Sequence, residues 1–284
     1  MKNLHYKLFL LFLFFSQISC NQAAKEWYHK GNKALTNEQY DTAIEYFTKA
    51  IELDSSFAVA YFDRGTSKDA LEAYQEAILD FDKAIKLDPN YVIAYNNRGN
   101  AKNNLGQYKA AILDYDKAIE LDPNDADAYY NRGVTNGKLD KYEESILDFD
   151  KALKLKPNDK NTYFNRGISE KNIDKNDEAI LDFDKVIELN PTDSPAYYNR
   201  GISKINLRQY QAARLDFDKA IALNPNYVKA YSFRAISNGF LGNYQEAIDD
   251  FKKELTLEPD NIQAKNNLKT ALSELAKYKK RGNK

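Results

Sequence analysis

Few residues in this chain are of the types that carry out chemistry. The only cysteine is Cys20, and the only histidines are His5 and His29. One cysteine forms neither an internal disulfide nor a thiolate metal site. A histidine-based catalytic triad would have to use His29. We therefore predict a non-catalytic protein with no catalytic residue, no metal site and no cofactor.

The first residues are typical of an export signal. Lys2 and Lys7 precede an unbroken apolar run over residues 8–15. That run is too short to span a bilayer as a helix, which takes about 20 residues. A basic segment followed by a short apolar one is characteristic of a secretory signal peptide.

The segment that follows ends at Cys20 and resembles the lipobox of bacterial lipoproteins, although Gln17 stands where leucine is usual. The resemblance implies a signal peptide over residues 1–19 and a lipidated Cys20 as the first mature residue. Because no aspartate follows Cys20, it also implies an outer-membrane lipoprotein that faces the periplasm or the surface. The alternative is ordinary signal cleavage near Ala23, without a lipid.

A period of 34 residues organises the rest of the chain, and prolines mark it at 89, 123, 157, 191, 225 and 259. Seven units follow without a gap from Ala24: 24–57, 58–91, 92–125, 126–159, 160–193, 194–227 and 228–261. Each unit has an aromatic residue at position 4, a small residue at positions 8 and 20, and an aromatic ring at position 24. An array of equal units, rather than a compact enzyme domain, produces such a period.

These residues resemble the tetratricopeptide repeat family over residues 24–261. The resemblance implies an all-α fold, a right-handed α-solenoid of seven tandem helical hairpins. The spacing independently supports helices, because positions 4, 8 and 11 share one helical face and positions 20, 24 and 27 share another. One hairpin cannot bury its own apolar face, so stacking of the hairpins must supply the core.

Residues 262–284 follow the last unit. Ile262, Leu268, Leu272 and Leu275 fall on one side of a further amphipathic helix. We predict that this helix caps the last unit and that the basic tail after it is a solvated helix end.

A charge pattern also repeats in units two to seven. Position 7 is arginine and position 23 is aspartate, whereas the first unit has Lys30 and Tyr46 there. Because both partners are present or absent together, we predict bidentate Arg–Asp pairs between the two helices of a hairpin. In units two to six a second aspartate stands at position 25, and it is either part of the same ion-pair network or a cation site.

Amides and rings fall at position 5, on the face that helical spacing places opposite the core, and at position 6, on the edge of that face. In tetratricopeptide repeat proteins this face lines a groove that binds peptides. The candidate groove residues are Tyr28, Phe62, Asn96, Asn97, Tyr130, Asn131, Phe164, Asn165, Tyr198 and Asn199. An amide can both donate to and accept from the backbone of a bound segment. The alternative is that these asparagines hydrogen-bond neighbouring helices.

The expected function is a protein–protein interaction scaffold that holds an extended or helical segment of a protein partner and is tethered to the cell envelope through Cys20. The alternative is a glycan- or peptidoglycan-binding module that uses the same groove. A formal charge of −1 argues against a nucleic-acid partner, since such proteins have a basic footprint.

Overall fold

The structure, a computed structural model, describes residues 21–282. Cys20 and the predicted signal peptide lie outside these residues. Every regular element within them is a helix. Their contacts divide the chain into two compact units, Met1–Leu139 and Asp140–Lys284, which we describe separately.

The first unit contains α1 (residues 21–36), α2 (Tyr40–Leu53), α3 (Ala58–Ala70), α4 (Tyr74–Leu87), α5 (Val92–Asn104), α6 (Tyr108–Leu121) and α7 (Ala126–Lys138). The second unit contains α8 (Tyr142–Leu155), α9 (Lys160–Asn172), α10 (Asn176–Leu189), α11 (Ser194–Asn206), α12 (Tyr210–Leu223), α13 (Val228–Phe240), α14 (Tyr244–Leu257) and α15 (Ile262–Gly282). We name the odd-numbered helices α1 to α13 the A helices and the even-numbered ones the B helices. The predicted all-α class is confirmed.

Each A helix ends in a left-handed residue at unit position 15. In α3, for example, the N–H of Glu72 donates to Asp69 and that of Ala73 donates to Lys68. This Schellman arrangement satisfies the last carbonyls of the helix and turns the chain into the B helix. The φ angle at position 15 is positive in all seven units, yet only Gly106 and Gly242 are glycines there. The turn therefore forms at five positions where the sequence lacks its usual residue.

A glycine at position 8 lets the two helices of a hairpin approach. A Cβ atom added to Gly65 would lie 2.8 Å from the ring of Phe81, and one added to Gly99 would lie 2.6 Å from the ring of Tyr115. Both rings are fully buried. The ring at position 24 thus occupies the space that a side chain at position 8 would fill.

Successive hairpins stack within each unit, as the repeat pattern predicts. The neighbouring A helices α3, α5 and α7 contact one another in the first unit, as α9, α11 and α13 do in the second, whereas the described B helices have no comparable mutual contacts. The A helices therefore line the inner side of each stack.

The last helix, α15, packs on α14 through a face that matches the predicted one only in part. Ala264 and Ala271 are buried, and Leu268 and Leu275 pack against the core of the last hairpin. Ile262 is 72% exposed and Leu272 is 49% exposed, so assigning these two to the packing side was wrong. The small residues were overlooked because alanine contributes little to an apolar pattern.

Candidate functional site

Four of the five predicted rings at position 5 pack against the core instead of pointing away from it. Tyr28 is half-buried between Phe47 and Phe57, with ring centroids 5.8 and 4.8 Å away. Phe62 lies in the same way between Phe81 and Tyr91. These side chains join one hairpin to the next, so placing them on a face opposite the core was wrong.

The second unit repeats this arrangement. Tyr198 lies 6.0 Å from Phe217 and 4.9 Å from Tyr227, measured between ring centroids. Phe164 packs edge-on against Phe183. Burial raises the pKa of Tyr198, as it raises that of Tyr28 to about 12. These phenols stay neutral and act as packing groups.

Position 34 is a partner that the sequence analysis missed. It is aromatic in Phe57, Tyr91 and Tyr227, each of which packs under a position-5 ring. In units three to five it is an aspartate that caps the next helix, as when Asp125 accepts from the N–H groups of Asp127 and Ala128. In unit seven it is Asn261, which accepts from the N–H of Ala264. The capping role of the aspartates could have been predicted from the sequence, since an aspartate just before a helix is a frequent N-cap.

Two of the candidate amides already have hydrogen-bond partners within the protein. Asn199, 8% exposed, donates to the carbonyl of Pro195 and accepts from Lys171 Nζ at 2.8 Å. Asn96 is also 8% exposed and accepts from Asn131 Nδ2 at 3.0 Å. The bonds with Lys171 and Asn131 join successive A helices, which is the alternative role given for these asparagines in the sequence analysis.

The remaining candidates differ in how accessible they are. Asn97 is partly exposed, and its side chain has no hydrogen-bond partner among residues 21–282. Asn131, Asn165 and Tyr130 are also partly exposed and have internal contacts. Asn97 is therefore the candidate amide most available to a partner.

The inner faces of the two units have different chemistry at positions 9 and 13. In the first unit, the partly exposed Asn100 and the exposed Asn104 accompany Asn97 on α5. In the second unit, position 9 is isoleucine on three successive A helices, and all three side chains are partly exposed: Ile168, Ile202 and Ile236. The first face is thus amide-rich on α5, and the second carries an apolar row.

The predicted Arg–Asp pairs are present in five described hairpins. They join Arg64 to Asp80, Arg98 to Asp114, Arg166 to Asp182, Arg200 to Asp216 and Arg234 to Asp250, with two bonds of 2.5–3.0 Å in each pair. Each arginine also stacks on the position-4 tyrosine of its own unit, at 5.3–5.6 Å. Such bidentate pairs fix orientation as well as charge.

The aspartates at position 25 extend this network between hairpins. Asp82 accepts from Arg98 of the next unit at 2.5 Å, and Asp184 accepts from Arg200 at 2.5 Å. Each of these carboxylates is thus held by a guanidinium, which favours the ion-pair interpretation over a cation site. No group of three or more histidine, cysteine or acidic side chains within residues 21–282 could hold a metal ion.

Position 11 varies among the hairpins and is an acid in the fifth unit. Lys68, Lys102 and Lys204 each place Nζ 2.7 Å from the paired aspartate. Glu170 occupies that place in the fifth unit, is 7% exposed and faces Asp182. Burial first, and then the Asp182 carboxylate, raise the pKa of Glu170 to about 8.

Comparison with known proteins agrees with this architecture. Models described as "TPR repeat" match residues 70–106 and 99–140, and models described as "Tetratricopeptide repeat" match 24–57, 126–159, 161–193 and 194–227. The chain therefore carries tetratricopeptide repeats. A comparison with curated proteins finds no match.

Solved structures of this class are similar to the chain. One is YrrB, described as a TPR protein with an unusual peptide-binding site, at 29% identity and a TM-score of 0.59, covering 65% of this chain and 95% of that one. A second is MamA, at 26% identity and a TM-score of 0.56, covering 61% and 94%. A third, part of a TPR protein from Cytophaga hutchinsonii, shares 20% identity at a TM-score of 0.71, covers 85% and 99%, and supports the fold alone.

Proposed function

We propose that this protein is a non-catalytic scaffold that binds a segment of a partner protein along the A-helix face and is tethered to the cell envelope through a lipid on Cys20. The inner face carries the proposal, because there side chains suited to a peptide are accessible on rigid helices. Similarity to a peptide-binding repeat protein is consistent with it.

Recognition on the α5 face would be polar. The amide of Asn97 has its donors and acceptor available, and Asn104 is exposed on the same helix. An amide can hydrogen-bond the N–H and C=O groups of a segment whatever its side chains are. This face suits recognition of backbone rather than of one side chain.

Recognition in the second unit would be mainly apolar. Ile168, Ile202 and Ile236 are partly exposed at the same position of successive A helices. Apolar area removed from water contributes roughly 25 cal/mol per Å², so such a row favours the apolar side of a helical or extended segment. Asn199 is left out of the proposed surface, because its amide is already occupied.

Capture of the partner from a detergent extract of native cells tests the binding surface. We expect Ile202→Glu to lose the partner and Asn97→Ala to weaken its capture. Leu181→Glu is the matched control, since Leu181 is 67% exposed but lies on the B helix α10. Equal capture by all three variants would count against the A-helix face.

The tether is tested on the protein made in its own cells. The mass of the mature N-terminal peptide should correspond to a chain that starts at Cys20 with added acyl groups, and Cys20→Ser should release the protein from the membrane fraction. No described helix has the length and apolarity to cross a membrane. An unmodified N-terminus near Ala23 would reject the lipid.

The glycan-binding alternative has less support. Rings that would stack on sugars, such as Tyr28, Phe62 and Tyr198, are packed between neighbouring rings of the hairpins. Titration with peptidoglycan fragments separates the two functions, because a peptide-binding face should not respond to them.

A further inference from the structure

A cavity of about 300 Å³ lies in the second unit where α15 packs on the last hairpin. Its lining is mostly apolar and includes Ala235, Gly239, Tyr244, Phe251 and Ala271. A Cβ atom added to Gly239 would meet no atom within 4 Å, so the wall formed by α13 is open there.

The corresponding space one hairpin earlier is filled by two aromatic rings. Phe233 on α13 lies 6.1 Å from Phe217, measured between centroids. Phe240 stacks on Tyr210 with centroids 4.4 Å apart and an interplanar angle of 9°. Rings from the following helix thus cover the apolar floor of that hairpin.

The capping helix has no ring at either corresponding position, and its nearest ring to the cavity lining is that of Tyr278, 5.9 Å from Tyr244 between centroids. The residues of α15 that lie 34 positions after Phe233 and Phe240 are Asn267 and Glu274. Both line the cavity, together with Phe251 of the hairpin below. The cavity is therefore the space that the repeat pattern assigns to aromatic rings.

Each polar side chain at the rim has a partner within α15. Asn267 accepts from Gln263 at 2.9 Å, Thr270 donates to the carbonyl of Asn266 at 3.0 Å, and Glu274 pairs with Lys277 at 2.7 Å. A ligand is not required to supply charge or hydrogen bonds to them. Recognition in this cavity would come from apolar and ring contacts.

We propose that the cavity binds one aromatic ring, the side chain of a phenylalanine or tyrosine in the partner segment, in the place that Phe233 and Phe240 occupy one hairpin earlier. A cavity of about 150 Å³ with apolar walls is enough for benzene. This inference deepens the proposed function and rests on it, because the ring belongs to the segment bound on the A-helix face.

The experiment uses N-acetylphenylalaninamide as a probe of the full chain, followed through the labelled alanine methyl groups in NMR. We expect saturable, ring-current-sized shifts of the methyl groups of Ala235, Ala247 and Ala271, with a dissociation constant on the order of 1 mM for a ligand of this size. N-acetylleucinamide should shift them less and bind more weakly. Equal binding of the two probes would overturn the assignment to an aromatic ring.

Filling the cavity supplies the matched variants. Asn267→Phe restores the ring of the preceding hairpin and should abolish the methyl shifts and raise Tm, whereas Asn266→Phe, at an exposed neighbour, should leave probe binding intact. Gly239→Leu fills the space from α13 and serves if Asn267→Phe does not fold. Unchanged probe binding in a folded filled variant, or no saturable shift in the native chain, would refute the cavity site.

The outcome is separable from that of the proposed function. Capture of a partner that depends on Ile202, together with no probe binding, would remove the aromatic site and keep the scaffold. Probe binding at the alanine methyl groups without any captured partner would keep the ring-binding cavity and remove its assignment to a segment.

Discussion

Glu170 should make the fifth hairpin lose stability as the pH rises. Its carboxyl group occupies the place of the lysines that bridge to aspartate in other units, and one of its oxygens, Oε2, has no hydrogen-bond partner among residues 21–282. Charges near it are Asp182, Arg166, Glu178 and Asp150. Deprotonation would leave two buried carboxylates facing one another.

The sign and size of the change in unfolding free energy follow from the linkage between protonation and folding. The pKa of Glu170 is about 8 in the folded chain against an ordinary value of 4.5, so the folded state holds the proton more tightly. This contribution is fully present below pH 4.5 and is lost as the pH rises through 8. With about 1.4 kcal/mol for each pH unit inside that window, the free energy of unfolding should fall by about 3 kcal/mol between about pH 6 and pH 9.

Urea unfolding followed by circular dichroism at a series of pH values measures this term. Glu170→Gln should remove most of the loss relative to the native chain. Glu170→Lys should also raise stability at high pH, because it rebuilds the bridge of the other units. Glu178→Gln, at an exposed neighbouring carboxylate, is the control. Parallel stability curves for the native chain and Glu170→Gln from about pH 6 to 9 would refute the reasoning.

Three further predictions concern stability and are measured by the same urea unfolding. Asp216→Asn should lower the free energy of unfolding by about 3 kcal/mol, because it breaks the buried bidentate pair with Arg200. Asp184 pairs with the same arginine but is 48% exposed, so Asp184→Asn should cost less than about 1 kcal/mol, and equal losses for the two variants would contradict the role of burial. Gly201→Ala should cost about 1–3 kcal/mol, since its Cβ would lie 2.7 Å from a buried ring, and no loss of stability would show that the hairpin is loosely packed. Gly239→Ala should gain up to about 1 kcal/mol, because its Cβ would meet no atom within 4 Å. Arg208→Gly should stabilise by about 0.5–1 kcal/mol because φ is +59° there, and a loss would mean that the arginine side chain contributes more than the turn costs.

Most of the architecture could be predicted from the sequence because each repeat tests the others. The glycine at position 8 lies against the ring at position 24, as Gly99 and Tyr115 show, and both residues recur together along the sequence. The Arg–Asp pairs were predictable for the same reason, since the first unit lacks both partners at once. The end helix was less predictable, because its packing depends on Ala264 and Ala271 rather than on large apolar residues.

The candidate site was harder to predict, because helical spacing gives a direction but not a neighbour. Helical spacing places Tyr28 and Tyr198 on the side away from their own hairpin core, yet each packs between the ring at position 24 of its own hairpin and the ring at position 34. Asn97 and Asn199 both stand at position 6 of their units, but only Asn199 is hydrogen-bonded, to Lys171 and to the carbonyl of Pro195, so its amide is less accessible. The cavity at α15 could not be predicted from the sequence, because it depends on Asn267 and Glu274 standing where the preceding hairpin has the rings of Phe233 and Phe240.

Site-specific photocrosslinking in intact cells tests the central claim most directly. A photoreactive residue is placed at Asn97 or Ile202 on the A helices and, for comparison, at Leu113 or Leu181 on the B helices, followed by mass spectrometry of the adducts. The account predicts adducts with a partner protein from each A-helix position and none from the B-helix positions. A partner that crosslinks only from Leu113 and Leu181 would contradict it.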